Sequence, residues 1–372
     1  MRQVNGAVRG LSMHAAYRCR DSGACCTAGW PIPVEADRLV HIERALASGA
    51  LRPVGHAAVA PIQWLPQAPR DTPAVLAVAA GACVFHRDAA PRRCEIHHAL
   101  GHDALPLACR QFPRVSVVDP RGVSVTLSHY CPTAASLLDT SEPATITTAM
   151  PAFPAEGEYV GLDVSGDLPP TLRPDMLMDW EAWWMWEERT VAALARSTDA
   201  AQTLTALAAV VEDVRTWRPG DAALVDRIED AFARAGRGPL RPAAFDHTAR
   251  LREVLDAVPD DLRPHVSAPE VHAAQPSPTV TRNFLAAHAF ANWTAHLGDG
   301  LRTWLRSIES AFALITLSYD VRAADLLLRH LADPYQLAKT WSQAERGGRL
   351  SVPSGAPRGA RPPSGRAGRQ SA

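Results

Sequence analysis

All seven cysteines of this 372-residue chain, Cys19, Cys25, Cys26, Cys83, Cys94, Cys109 and Cys131, lie in its first 131 residues. The thiolate is a nucleophile and a soft ligand that suits zinc, copper or an iron–sulfur cluster. Thiols drawn from several distant segments read most simply as one metal or cluster site. None of them forms the C-x2-C pair of a zinc ribbon, and the ferredoxin spacings are absent. Adjacent cysteines seldom ligate one ion, so Cys25 and Cys26 are expected to do different jobs. Spacing alone therefore indicates a metal site of open identity.

The alternative use of cysteine, a disulfide framework, fits poorly. The count is odd, and Met1–Gly10 is polar, with no apolar core of a secretory signal. No apolar run reaches the roughly 18 residues of a membrane span. A cytoplasmic, reducing location is the default expectation, and there clustered cysteines bind metal or catalyse. A net charge of −1 gives no overall pull toward nucleic acid or an anionic membrane. Lys339 is the only lysine, which excludes a lysine Schiff base in the N-terminal two thirds.

Other chemistry-bearing residues lie between the cysteines. His86, His97, His98 and His102 offer imidazole for zinc or iron, or are ordinary histidines of a helix over 94–104. Arg110 and Arg114 flank Phe112-Pro113. They can hydrogen-bond cluster sulfurs or an anionic ligand, or pair with Asp88 or Asp103. The tryptophans at 180–186 read as helix core or a partner-binding face rather than a ligand cage. Asp179, Glu181, Glu187 and Glu188 read as a solvated face. The chain has no G-x-G-x-x-G after a strand, no Walker A, no H-E-x-x-H and no G-x-S-x-G. Any use of S-adenosylmethionine would need a scaffold other than the doubly wound sheet.

The elements that must position these residues fall into regions. Residues 1–140 hold every cysteine and read as an irregular, cysteine-rich metal-binding domain. It contains a helix over 35–48 stopped by Gly49, and a hairpin of 114–118 with 123–127 around Asp119-Pro120-Arg121-Gly122. The hairpin is expected to bring Cys109 and Cys131 together at its outer ends. Residues 141–170, rich in Pro, Gly, Thr and Ser, read as a linker. Residues 171–346 read as an all-helical domain with helices over 175–197, 200–216, 222–235, 245–257, 281–318 and 320–346, the last broken near Asp333-Pro334. The tail 347–372 has arginines, Pro, Gly and Ser but no acid, and is expected to be disordered. The fold class expected is mostly α.

The cysteine segments resemble the YkgJ-type cysteine-cluster family of zinc- or iron-chelating domains, and within it the larger flagellin lysine N-methylase group. The likeness covers residues about 17–135 and rests on Cys19, Cys25-Cys26 with Gly29-Trp30, Cys83-x-Phe85, and Cys94-x-Ile96 with Leu100-Gly101. It continues through Cys109-Arg110-x-Phe112-Pro113-Arg114 and Cys131-Pro132. Many members carry a further cysteine where this chain has Ser22, which leaves ligand number open. Beyond that stretch, 275–319 with Asn283-Phe284-Leu285 is a weaker likeness to the longer members. The resemblance implies metal binding, with an iron–sulfur cluster first, and in the larger relatives methyl transfer to protein lysines. Three readings follow. The first is a module whose thiolates hold a 4Fe–4S cluster. The second is a protein-lysine N-methyltransferase using S-adenosylmethionine on a protein such as flagellin. The third is a zinc-stapled interaction protein docking through its tryptophan helix.

Overall fold

A computed structural model describes residues 6–54, 59–67, 69–88, 94–154, 158–235, 245–266, 275–317 and 320–346. Over these the chain is mostly α, with small sheets. The arginine-bearing tail at 347–372 lies outside the described residues.

Strand β1 (Ala7–Leu11) leads through a 3-10 turn at Ser12–His14 to the first cysteine loop and a second 3-10 turn, Ala24–Cys26. Strand β2 (Ile32–Val34) enters helix α1 (Ala36–Ser48), which ends at Gly49 in the left-handed conformation. The buried face of α1, Leu39, Ile42 and Ala45, recurs every three residues along one side of an amphipathic helix. Strands β3 (Ile62–Trp64) and β4 (Ala74–Leu76) complete an antiparallel sheet ordered β2-β4-β3. A minimal hairpin, β5 (Val78–Ala79) with β6 (Ala82–Cys83), carries Cys83.

Short helices α2 (Glu95–Leu100) and α3 (Leu107–Gln111) follow. The chain then passes a cis Phe112–Pro113 peptide into the hairpin β7 (Arg114–Asp119) and β8 (Gly122–Leu127). Its register runs from Arg114 opposite Leu127 to Asp119 opposite Gly122, as the alternating β-branched residues require. Helix α4 (Pro132–Ser136) and strands β9 (Ile146–Thr147) and β10 (Leu162–Asp163) come next. The main sheet is ordered β10-β7-β8-β1-β9, with β1 parallel to β8. The stretch 141–170 therefore does more than connect, because it supplies both edge strands of this sheet. Two-residue strands carry too little periodicity to be seen in sequence.

A small hairpin, β11 (Thr171–Arg173) with β12 (Met176–Leu177), precedes α5 (Trp180–Ala195). Asp179 caps α5, its Oδ1 accepting from the Ala182 N–H at 2.7 Å. Helices α6 (Ala200–Val214), α7 (Leu224–Ala235) and α8 (His247–Asp256) match the helical expectations for this region. The single helix expected over 281–318 is instead α9 (Pro278–Ala289), α10 (Thr294–Leu297) and α11 (Leu301–Thr316). Asn292 breaks it: its side chain accepts from the Thr294 N–H at 2.8 Å, a local bond that competes with the helix. Helix α12 (Val321–Leu326) runs into a π-helical turn, Leu327–Leu331, before α13 (Pro334–Arg346). The largest core packs Trp183, Trp186, Trp304, Phe284 and Phe290 between α5, α9 and α11. A smaller one under the cysteines centres on Ile42, Phe85 and Ile96.

Candidate metal centre

Six cysteines, Cys19, Cys25, Cys26, Cys94, Cys109 and Cys131, line a single cavity of about 300 Å3. Each arrives from a different local device. Gly23, at φ 74°, makes the sharp turn that presents Cys25 and Cys26 from their 3-10 turn. Cys94 stands just before α2, Cys109 sits within α3, and Cys131 stands just before α4, whose first residue is Pro132. The β7–β8 hairpin does deliver Cys109 and Cys131 to one cavity from its two outer ends. Cys83 is the exception. It is buried in the small core and does not line the cavity.

The thiols interact with one another. Cys25 and Cys26 have their sulfurs 3.9 Å apart. Cys26 holds its proton, its thiol pushed up by bonds to Cys25 and then Cys94 and by burial. The same bonds from Cys26 lower the Cys25 and Cys94 thiols, and at Cys94 the first N–H groups of α2 add to the effect. Burial raises Cys109, with the negative charge of Cys25, Cys94 and Cys83 adding to it. Burial pushes Cys83 up to about 12. The Tyr17 hydroxyl lies 3.7 Å from the Cys131 sulfur, and burial raises Tyr17. Among the described residues no three His, Cys, Asp or Glu side chains form a ready-made metal-binding group. The thiols share a cavity rather than a point.

The remaining residues singled out in the sequence divide. His97 and His102 line the cavity, their rings 5.8 Å apart, while His98 is exposed and His86 lies 3.4 Å from Asp88. Arg110 and Arg114 also line it, but neither pairs with Asp88 or Asp103. Arg110 Nη1 bonds Glu158 Oε2 at 2.9 Å. Arg114 donates to the Glu158 and Arg110 carbonyls at 3.2 and 3.1 Å and lies 5.7 Å from the Tyr159 ring centre. Glu158, far off in sequence, fixes both, Arg110 through its carboxylate and Arg114 through its backbone carbonyl. No family model, curated protein or solved structure matches this chain.

Sequence reasoning missed what stands behind the cavity. His330 stacks on Trp30 with ring centres 4.4 Å apart, and Trp30 in turn lies 5.6 Å from Phe112 in the cavity wall. Ser128 Oγ donates to Asp325 Oδ2 at 2.6 Å, so its oxygen accepts from His330 Nε2 at 2.7 Å. Asp325 also takes bonds from His288 Nε2 and Arg329 Nε, each at 3.1 Å. His14 and His129 share a proton across 3.2 Å, and all of His14, His129 and Asp325 are fully buried. Burial alone would raise the Asp325 carboxyl. The bonds and charges from His129, His288 and Arg329 outweigh it and hold the group well below the usual range. The one sequence signal was an aspartate inside the apolar run Ala323-Ala324-Asp325-Leu326-Leu327-Leu328.

The solvated acidic face expected on α5 holds at Asp179, Glu181 and Glu188, which are exposed, and is corrected at Glu187. Glu187 is buried, bonded to Arg121 at 3.1 Å and accepting from the Ala291 N–H at 3.2 Å. The helix turns it inward with Trp183 and Trp186, where an arginine from the β7–β8 turn compensates its charge.

Proposed function

We propose that this chain is a metal-binding protein whose N-terminal thiolates hold a 4Fe–4S cluster. The observation that carries this reading is the gathering of six cysteines from separate segments around one cavity of about 300 Å3. The donor set is chemically apt. Six of the lining residues are cysteines, and among the described residues Asp21 is the one carboxylate in the lining. Crowded thiols that raise one another's pKa are costly to ionise alone, and a bound cation relieves that cost. Cys19, one or both of Cys25 and Cys26, Cys94, Cys109 and Cys131 form the ligand pool. Cys83 is assigned as a structural thiol. When bound, the cluster would supply one-electron redox capacity and tie the cysteine segments together.

The deciding experiment is iron, zinc and sulfide analysis with an absorption spectrum on protein purified without oxygen. About four iron and four sulfide per chain, with brown colour that dithionite bleaches, is the expected result. One zinc without sulfide would replace the cluster with a structural zinc. The same preparation titrated with S-adenosylmethionine tests the methyl-transfer activity that the family resemblance implies. Absence of binding at millimolar ligand would remove that activity and leave the metal reading intact.

A further inference from the structure

A second cavity, of about 500 Å3, opens between β1, β9 and α5, away from the cysteines. Its floor carries two guanidinium groups, Arg9 from β1 and Arg121 from the β7–β8 turn. Their carboxylate partners, Asp119 and Glu187, lie behind them, 2% and 3% exposed, and do not line the cavity. An entering molecule therefore meets N–H groups and not the acids that neutralise them.

The donors are held in advance. Arg121 places Nε and Nη2 on Asp119 at 3.0 and 2.7 Å, and Nη2 on Glu187 at 3.1 Å. Arg9 spends Nη2 on Asp119 and on Ser124 at 2.7 Å. Among the described residues, the Nη1 group of neither arginine has a protein acceptor. Fixing a guanidinium beforehand removes the ordering cost that usually weakens a surface arginine as a binding group. Trp184 forms one wall, with Arg121 lying 4.6 Å from its ring centre, and Ile146, Met185 and Val191 add apolar surface. At the rim stand Glu181 and Glu188, both exposed and with no ion-pair partner among the described residues. Arg196, also exposed, lines the same cleft, so three guanidinium groups face two carboxylates there.

We propose that this cleft binds a small organic monocarboxylate with a flat apolar body. The carboxylate takes the free guanidinium donors of Arg9 and Arg121, and the apolar body lies on Trp184. The inference does not depend on the metal reading, since no cysteine contributes.

The test is calorimetric titration of the full chain with 2-naphthoate, beside the neutral 2-naphthylmethanol. Saturable one-to-one binding of the carboxylate is expected, with the alcohol at least about tenfold weaker, the size of a lost charged hydrogen bond. Arg9→Lys keeps a positive charge beside Asp119 but gives up the free donor, and should weaken 2-naphthoate by about tenfold. Ala192→Trp fills the cleft from α5 without touching either arginine or its acids, and should abolish binding. An unchanged unfolding midpoint in Ala192→Trp separates a filled cleft from a damaged fold. Equal binding of carboxylate and alcohol, a wild-type titration with no saturable heat, or Ala192→Trp binding like wild type would each overturn the proposal.

Discussion

The helices α5, α6, α9 and α11 bury three tryptophans and two phenylalanines against one another. The segments around the cysteine cavity bury Phe85 in one small core and Phe153 with Tyr159 in another, beside small aliphatics. Burial of apolar area stabilises at about 25 cal/mol per Å2, so the first region is held chiefly by its core. The second has short helices, two-residue strands and a cavity lined by thiols, and under the proposed metal reading the bound group would tie its segments together. Between them lies a third kind of contact, the buried polar network around Asp325, which ties α9 and α12 to the strand end that carries Cys131. The contrast is between a region held by its own core and one that the proposed metal would complete.

The sharpest way to break this comparison is to remove a ligand. Cys94→Ser or Cys109→Ser should cost the bound iron and sulfide, together with cooperative unfolding of the cysteine region, while most far-ultraviolet helicity persists. Full metal content in either variant would remove that residue from the ligand set. Next in size is Asp325→Ala, which leaves Arg329 buried without its partner and should destabilise the protein by about 3–5 kcal/mol in denaturant titration. A loss under about 1 kcal/mol would mean that the network does not join the two regions.

Acid should act through the buried histidines. Burial depresses His288, His296 and His330 from 6.5 to about 4, so the folded state keeps them neutral. Below pH 6.5 the unfolded chain takes up protons that the folded chain refuses, so stability falls as pH drops from about 6.5 to about 4. Stability measured across that window should decline by several kcal/mol, with a proton uptake on unfolding that His288→Gln reduces by close to one. A flat profile would contradict the burial of these rings. The smallest effect belongs to Cys83→Ala. It should keep all metal and lose about 1 kcal/mol, as expected for trimming one small core side chain. Loss of metal in this variant would move Cys83 from the core into the site.

Much of this was legible in sequence because it is local. Helix α1 with its Gly49 stop and the Arg114–Leu127 hairpin each follow from residues within a few positions of one another. So did the grouping of the cysteines, since a count and an uneven distribution need no coordinates. What stayed hidden is long-range. Arg110 was matched to nearby aspartates, but its partner Glu158 is held against it by β10 pairing with β7. Glu187 reads as a surface acid in any linear pattern and is buried because Arg121 arrives from a distant turn.

Residue type and local spacing decided the mostly helical class, the hairpin and the thiol-rich character of the first 131 residues. These depend on backbone preference and short-range periodicity, which a linear chain already contains. Only the tertiary structure decided that six thiols share a cavity while Cys83 leaves it. It also decided that Asp325 anchors a buried histidine network and that Arg9 and Arg121 present free donors above hidden acids. Those outcomes depend on which distant charges and rings are brought within about 4 Å of one another, where desolvation makes an unpaired group expensive and a paired one decisive.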